Sequence, residues 1–121
     1  MLTEDDVREA LRVCFDTELQ VNIVDLGLVY SIQITRDEDA PGYEPRYLVH
    51  IDLTMRAPND EREALMLGQI HNRLAGMREV SRSTVEVVWE PAWSAERMTT
   101  AARQQLGLDR PAKQGLVRIT L

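Results

Sequence analysis

The chain has 121 residues, 44% hydrophobic and 28% charged, which suits one buried core without disulfides and is too apolar for a disordered chain. A net charge of −6 with scattered arginines argues against nucleic acid as a partner, because phosphate binding needs clustered basic residues. The single cysteine excludes an intramolecular disulfide and points to a reducing, cytoplasmic setting, and no apolar run approaches the ~20 residues of a membrane span.

The opening MLTEDDVREA is acidic and amphipathic, unlike a secretory signal or transit peptide. Thr3 reads as an N-cap with acids in the first turn, and Val7, Ala10, Leu11, Cys14 and Phe15 recur at helical spacing to about Phe15. An irregular stretch, DTELQVNIVDLG, closes at Gly27. LVYSIQIT then alternates, with Leu28, Tyr30, Ile32 and Ile34 on the apolar face. After the acidic loop RDEDAPGYEP, YLVHIDLTM alternates again, with Tyr47, Val49, Ile51, Leu53 and Met55 inward. Pro58 breaks this strand, and Asp60 with Glu63 forms a capping-box-like start for a helix to about Met77. Its inward stripe is Ala64, Leu67, His71 and Leu74, widened by Ile70 and Gly68. STVEVVWE supplies a third strand, Ser94 caps a last helix to about Leu106, and Gly107 follows as its left-handed terminator.

This order, helix-strand-strand-helix-strand-helix, predicts an α+β two-layer sandwich built on a small mixed sheet. A single domain spans 1–121, with a tail over 109–121 that could add an edge strand. Short connections make the first two strands an antiparallel hairpin, and a helical crossover returns the third strand to the same sheet. The sheet face away from the helices carries Val29, Leu48 and Val88, so a homodimer or client docking is expected there.

Polar residues inside apolar QVNIVDLGLVY need a reason, since an unpaired buried polar group costs roughly 1–3 kcal/mol. Either Asn22 and Asp25 bond the backbone of a turn closed by Gly27, or they face a site. The topology places the start of the first strand beside the end of the second. Glu18, Asn22, Asp25, Thr54 and Asp60 are therefore expected to converge on the N-terminus of the second helix, with Asp25 ionised by backbone N–H donors. Cys14 reads as a core thiol and His71 as a satisfied core or rim histidine. Trp89 reads as core and Trp93 as exposed at an interface. His50 lies on the polar strand face without the H-x-H or H-x-x-x-H spacing of a metal pair.

VNIVDLGLVY, IDLTMRAP and VVWEPAWSAERMTTAARQQLG together resemble the metal–sulfur cluster biosynthesis family, SufT-like and PaaD-like, over about 3–108. That resemblance implies an iron–sulfur cluster assembly-type domain that assists cluster maturation or delivery. In PaaD-like members the client is the oxygenase that attacks phenylacetyl-CoA. The family usually has D-P-E before the first motif, where Thr17 stands here for the proline. It carries T-x-x-x-P-G-C-P after the second strand, where Asn59 replaces the glycine and Asp60 the cysteine. A thiolate at a helix start suits iron, whereas a carboxylate there is a cap and a hard ligand.

The expectation is a non-enzymatic accessory factor that works by contact with iron–sulfur assembly machinery or a client. It holds no stable cofactor, and a cluster or iron is at most transient. The competing reading is a small hydrolytic or divalent-metal site in which Glu18, Asp25 and Asp60 are hard ligands.

Overall fold

A computed structural model describes residues 1–108; the proposed edge strand in 109–121 lies outside the described residues. Helix α1 (Glu4–Ala10) begins at the expected N-cap Thr3, which accepts from the Asp6 N–H, and the Asp6 carboxylate accepts from the Thr3 N–H in return, completing a capping box. It tightens into a 3₁₀ turn at Leu11–Val13, shorter than the reading to Phe15. Phe15 is 43% exposed, because the chain leaves the helix there and bridges to Asn22.

Strands β1 (Val29–Arg36), β2 (Tyr47–Leu53) and β3 (Val80–Val87) form one sheet in the order β1-β2-β3. β1 and β2 pair antiparallel, and β2 and β3 pair parallel through helix α2 (Asp60–Ala75), so the sheet is mixed. The fold is α+β, with Val7, Leu11, Met66, Ile70 and Leu74 from the helices and Ile32, Val49, Ile51 and Leu53 from the sheet in one core.

Several faces differ from the sequence reading. Tyr30 is the extra residue of a bulge, since Val29 pairs with Leu53 and Ser31 with Asp52. The bulge puts Val29 into the core, 7% exposed, and leaves Tyr30 half-buried. The open sheet face thereby loses Val29, and the docking expected there rests on Leu48 and Val88 alone. In α2 the buried stripe is Met66, Ile70 and Leu74; Ala64, Gly68 and His71 are exposed, and His71 Nδ1 meets Ser83 Oγ at 2.9 Å. The N-cap of α2 is Asn59, whose Oδ1 accepts from the Arg62 N–H, so Asp60 is the first helical residue rather than the cap.

β3 starts three residues earlier than STVEVVWE, and the chain has left the sheet before Trp89, which is 42% exposed rather than core. The final helix is broken in two. A 3₁₀ turn at Ala95–Arg97 precedes α3 (Thr100–Leu106), and Thr99, not Ser94, caps it by accepting from the Ala102 N–H. The break has a physical cause: the Thr99 N–H is donated at 2.8 Å to the carbonyl of Asp25, so it cannot serve a continuous helix. Gly107 ends α3 in the left-handed region, as its position implies.

Candidate functional site

The turn over 22–27 is built from its own polar residues. Asn22 Oδ1 accepts the Asp25 N–H at 2.9 Å, and the Asn22 carbonyl accepts the Leu26 N–H at 3.1 Å. Gly27 then adopts φ 78°, where a side chain would be strained. It also lies against Arg97: a Cβ on Gly27 would collide with the Arg97 carbonyl oxygen and come within 2.7 Å of its Cβ.

Asp25 is ionised, but side chains supply the donors rather than backbone N–H groups. Asn22 Nδ2 donates to Oδ2 at 2.8 Å and Arg12 to Oδ1 at 2.7 Å. Burial pushes the carboxyl upward, yet these bonds outweigh it and hold Asp25 below the ordinary carboxylate range.

The segment after β3 closes over this turn. Trp93 Nε1 donates to the Leu26 carbonyl at 2.8 Å, Thr99 N–H to the Asp25 carbonyl, and Tyr30 hydroxyl to the Pro91 carbonyl at 2.8 Å. The Arg97 guanidinium lies 4.6 Å from the centroid of the Tyr30 ring. Trp93 is thus partly buried against the core and hydrogen-bonded, contrary to its exposed reading. A groove of about 310 Å³ remains, lined by Arg8, Val24, Gly27, Val29, Tyr30 and Arg97.

The other expected site residues go elsewhere. Glu18 belongs to an arginine cluster: Arg56 bonds it at 2.6 Å and Arg62 at 3.1 Å, while Arg56 Nε also pairs with Asp16 at 3.0 Å. The Arg56 bond, with help from Arg62, lowers the Glu18 carboxyl. Burial raises Asp16, but Arg56 and the Leu19 and Glu18 N–H groups more than reverse this. Thr54 is 1% exposed; its N–H continues the ladder to the Leu28 carbonyl at 2.8 Å, and its hydroxyl has no hydrogen-bond partner. Asp60 is exposed and makes no ion pair among the described residues. No hydrogen bond or ion pair among the described residues links Asp25 to Thr54, Glu18 or Asp60. The carboxylate-metal reading loses its ligand set, because arginines already occupy Asp25 and Glu18.

Cys14 is 1% exposed, and burial pushes its thiol up, against the pull of Arg73. His50 does have acidic neighbours: Asp52 two residues on, and Glu86 from the adjacent strand. The sequence reading missed Arg12, Arg97 and Thr99, since each acts through a contact distant in the chain. For Arg97 and Thr99 the signal available was the third motif itself, whose polar residues need partners.

The family model for iron–sulfur cluster assembly proteins matches residues 4–87. The chain belongs to this iron–sulfur cluster assembly protein family. Among its relatives, the Fe-S protein maturation auxiliary factor YitW of Bacillus subtilis is 31% identical over 105 residues, covering 87% of this chain and 94% of the relative. The Fe-S protein maturation auxiliary factor SufT of Staphylococcus aureus is 28% identical over 93 residues, covering 77% and 96%. The solved DUF59 domain from Bacillus anthracis superposes with a TM-score of 0.71 at 33% identity, covering 87% of this chain and 92% of that one. The matched residues 4–87 include the 22–27 turn, while the 91–99 segment that closes over it lies just beyond them.

Proposed function

We propose that this chain is an accessory factor in the maturation of iron–sulfur proteins, working by contact with the assembly machinery or a client and not by catalysis. The observation that carries this reading is the clamp of 91–99 on the 22–27 turn. Two of the three motifs read as resembling the family are joined there by hydrogen bonds, and the groove beside them is lined by Tyr30, Arg8 and Arg97. Such a surface suits recognition of a partner. It offers no nucleophile paired with a base, the arrangement that group-transfer chemistry requires.

The cluster is cargo in this reading. A [2Fe–2S] centre takes four thiolate or imidazole ligands. The only cysteine of the chain lies in the core, and Asp60 stands at the helix start where the family pattern has its thiol. These residues do not fit a resident cluster. A cytoplasmic setting accords with an unpaired thiol.

The test is complementation of a host strain lacking this gene, read by the activities of its iron–sulfur enzymes. Those activities should fall on deletion and return with the wild-type chain. They should stay low with Arg97→Glu, which reverses the charge at the groove. Unchanged iron–sulfur enzyme activities in the deletion strain would refute the proposal.

A further inference from the structure

On the open face of the sheet, away from the clamp, three ligand-bearing side chains share one spot. His50 and Asp52 are two apart on β2 and so point to the same side. Glu86 pairs directly with Asp52 in the parallel register of β2 and β3. One ligand atom from each lies within 4.8 Å of the other two; His50 Nε2 is 3.1 Å from Asp52 Oδ1 and 3.9 Å from Glu86 Oε1.

We infer that His50, Asp52 and Glu86 form a binding site for one divalent first-row metal ion, of the Zn²⁺, Mn²⁺ or Fe²⁺ class. Metal–ligand bonds of about 2.0–2.2 Å place neighbouring ligand atoms roughly 3–3.5 Å apart. The His50–Asp52 distance already meets this, and Glu86, whose side chain is 67% exposed, has freedom to close the remainder. One imidazole nitrogen with two carboxylate oxygens is a donor set for these ions rather than for a cluster.

The neighbours orient the ligands. Thr84 Oγ1 sits 2.7 Å from His50 Nδ1, and as acceptor of an Nδ1–H it leaves the Nε2 lone pair toward the acids. Ser31 donates to Asp52 Oδ2 at 3.0 Å and leaves Oδ1 for the ion. Three protein ligands leave coordination positions open, and the adjoining groove of about 370 Å³, which reaches Gln33, Thr35 and Arg82, has room for water or a small anionic ligand. This site stands apart from the proposed accessory role and does not depend on it.

The test is calorimetric titration of the chelator-treated full-length protein with Zn²⁺. One ion per chain should bind with a micromolar Kd. His50→Gln and Glu86→Gln should each abolish that binding. Thr84→Val, which removes only the orienting hydroxyl, should weaken it by about 10- to 100-fold. His71→Gln and Cys14→Ser should leave it unchanged. No saturable binding below about 1 mM, or equal binding by Glu86→Gln with its circular dichroism intact, would overturn the site and leave His50–Asp52 as a plain hydrogen bond.

Discussion

The indole Nε1–H of Trp93 donates to the carbonyl of Leu26 at 2.8 Å, and Leu26 itself is fully buried. Replacing Trp93 with phenylalanine keeps an aromatic ring but strands that carbonyl, at a cost of about 1–3 kcal/mol. Trp93→Phe should therefore lower the urea midpoint. It should also speed amide exchange at Thr99, whose N–H bonds the Asp25 carbonyl in the same clamp. Exchange at Thr99 as slow as in the wild type would show that Trp93 does not hold the segment down.

Gly27 gives a paired comparison. Gly27→Ala puts a Cβ against the Arg97 carbonyl at a positive φ, whereas Gly42→Ala also has positive φ, 98°, but meets nothing within 4 Å. Both carry the left-handed strain of about 1–2 kcal/mol. Only Gly27→Ala adds a steric collision with backbone. Thermal melts should rank Gly27→Ala well below Gly42→Ala; equal losses would mean that the clamp yields freely.

Asp25→Asn is a sharper change than a loss of charge. Both carboxylate oxygens accept from donors, Arg12 on one and Asn22 on the other, so the new amide must turn its NH₂ toward one of them. The expected loss is about 1–3 kcal/mol near pH 7. Asp25 is held below its unfolded value of about 4, so its stabilisation is complete above that pH and fades as pH falls through the lower native value. Denaturation at pH 7 and pH 3 should show a wide gap between wild type and variant narrowing in acid. A gap that stays constant would mean that the ionised form is not the one being stabilised.

Arg56, in the loop between β2 and α2, holds the 16–19 loop through Asp16, which is 8% exposed. Arg56→Met leaves that carboxylate with only the Glu18 and Leu19 N–H groups, a loss of about 3 kcal/mol. The double variant Arg56→Met/Asp16→Asn should recover part of it, since no unpaired charge then remains. Absence of any recovery in chemical denaturation would place the cost in lost packing.

The sheet and its helices were legible because period-two and helical apolar spacing survive in short windows. Position-level errors arose where a contact distant in the chain overrode the local pattern. Trp89 and Trp93 exchanged roles because the chain leaves β3 early to reach the 22–27 turn, which strand alternation cannot signal. Asn59 took the cap from Asp60, though both are good caps. The Tyr30 bulge shifted one residue of β1 and so moved Val29 between faces. Of the five expected site residues, Asn22 and Asp25 do meet, while Thr54 sits under the sheet ladder, Glu18 joins arginines and Asp60 faces outward. Topology brings segments near one another. Side-chain pairing decides which of their residues touch.

The clamp also has a consequence for the order in which the chain folds. β1 and β2 are consecutive in the chain and can pair early, whereas the Trp93–Leu26 bond spans 67 residues and requires α2 and β3 to be in place first. Contacts of such long sequence separation carry a large loop-closure entropy and are expected to form late. The 91–99 segment, largely exposed and outside the sheet, is then expected to open at a lower free energy than the strands. The groove that it completes exists only in the finished fold, so a partner that docks there distinguishes a mature chain from one still being made.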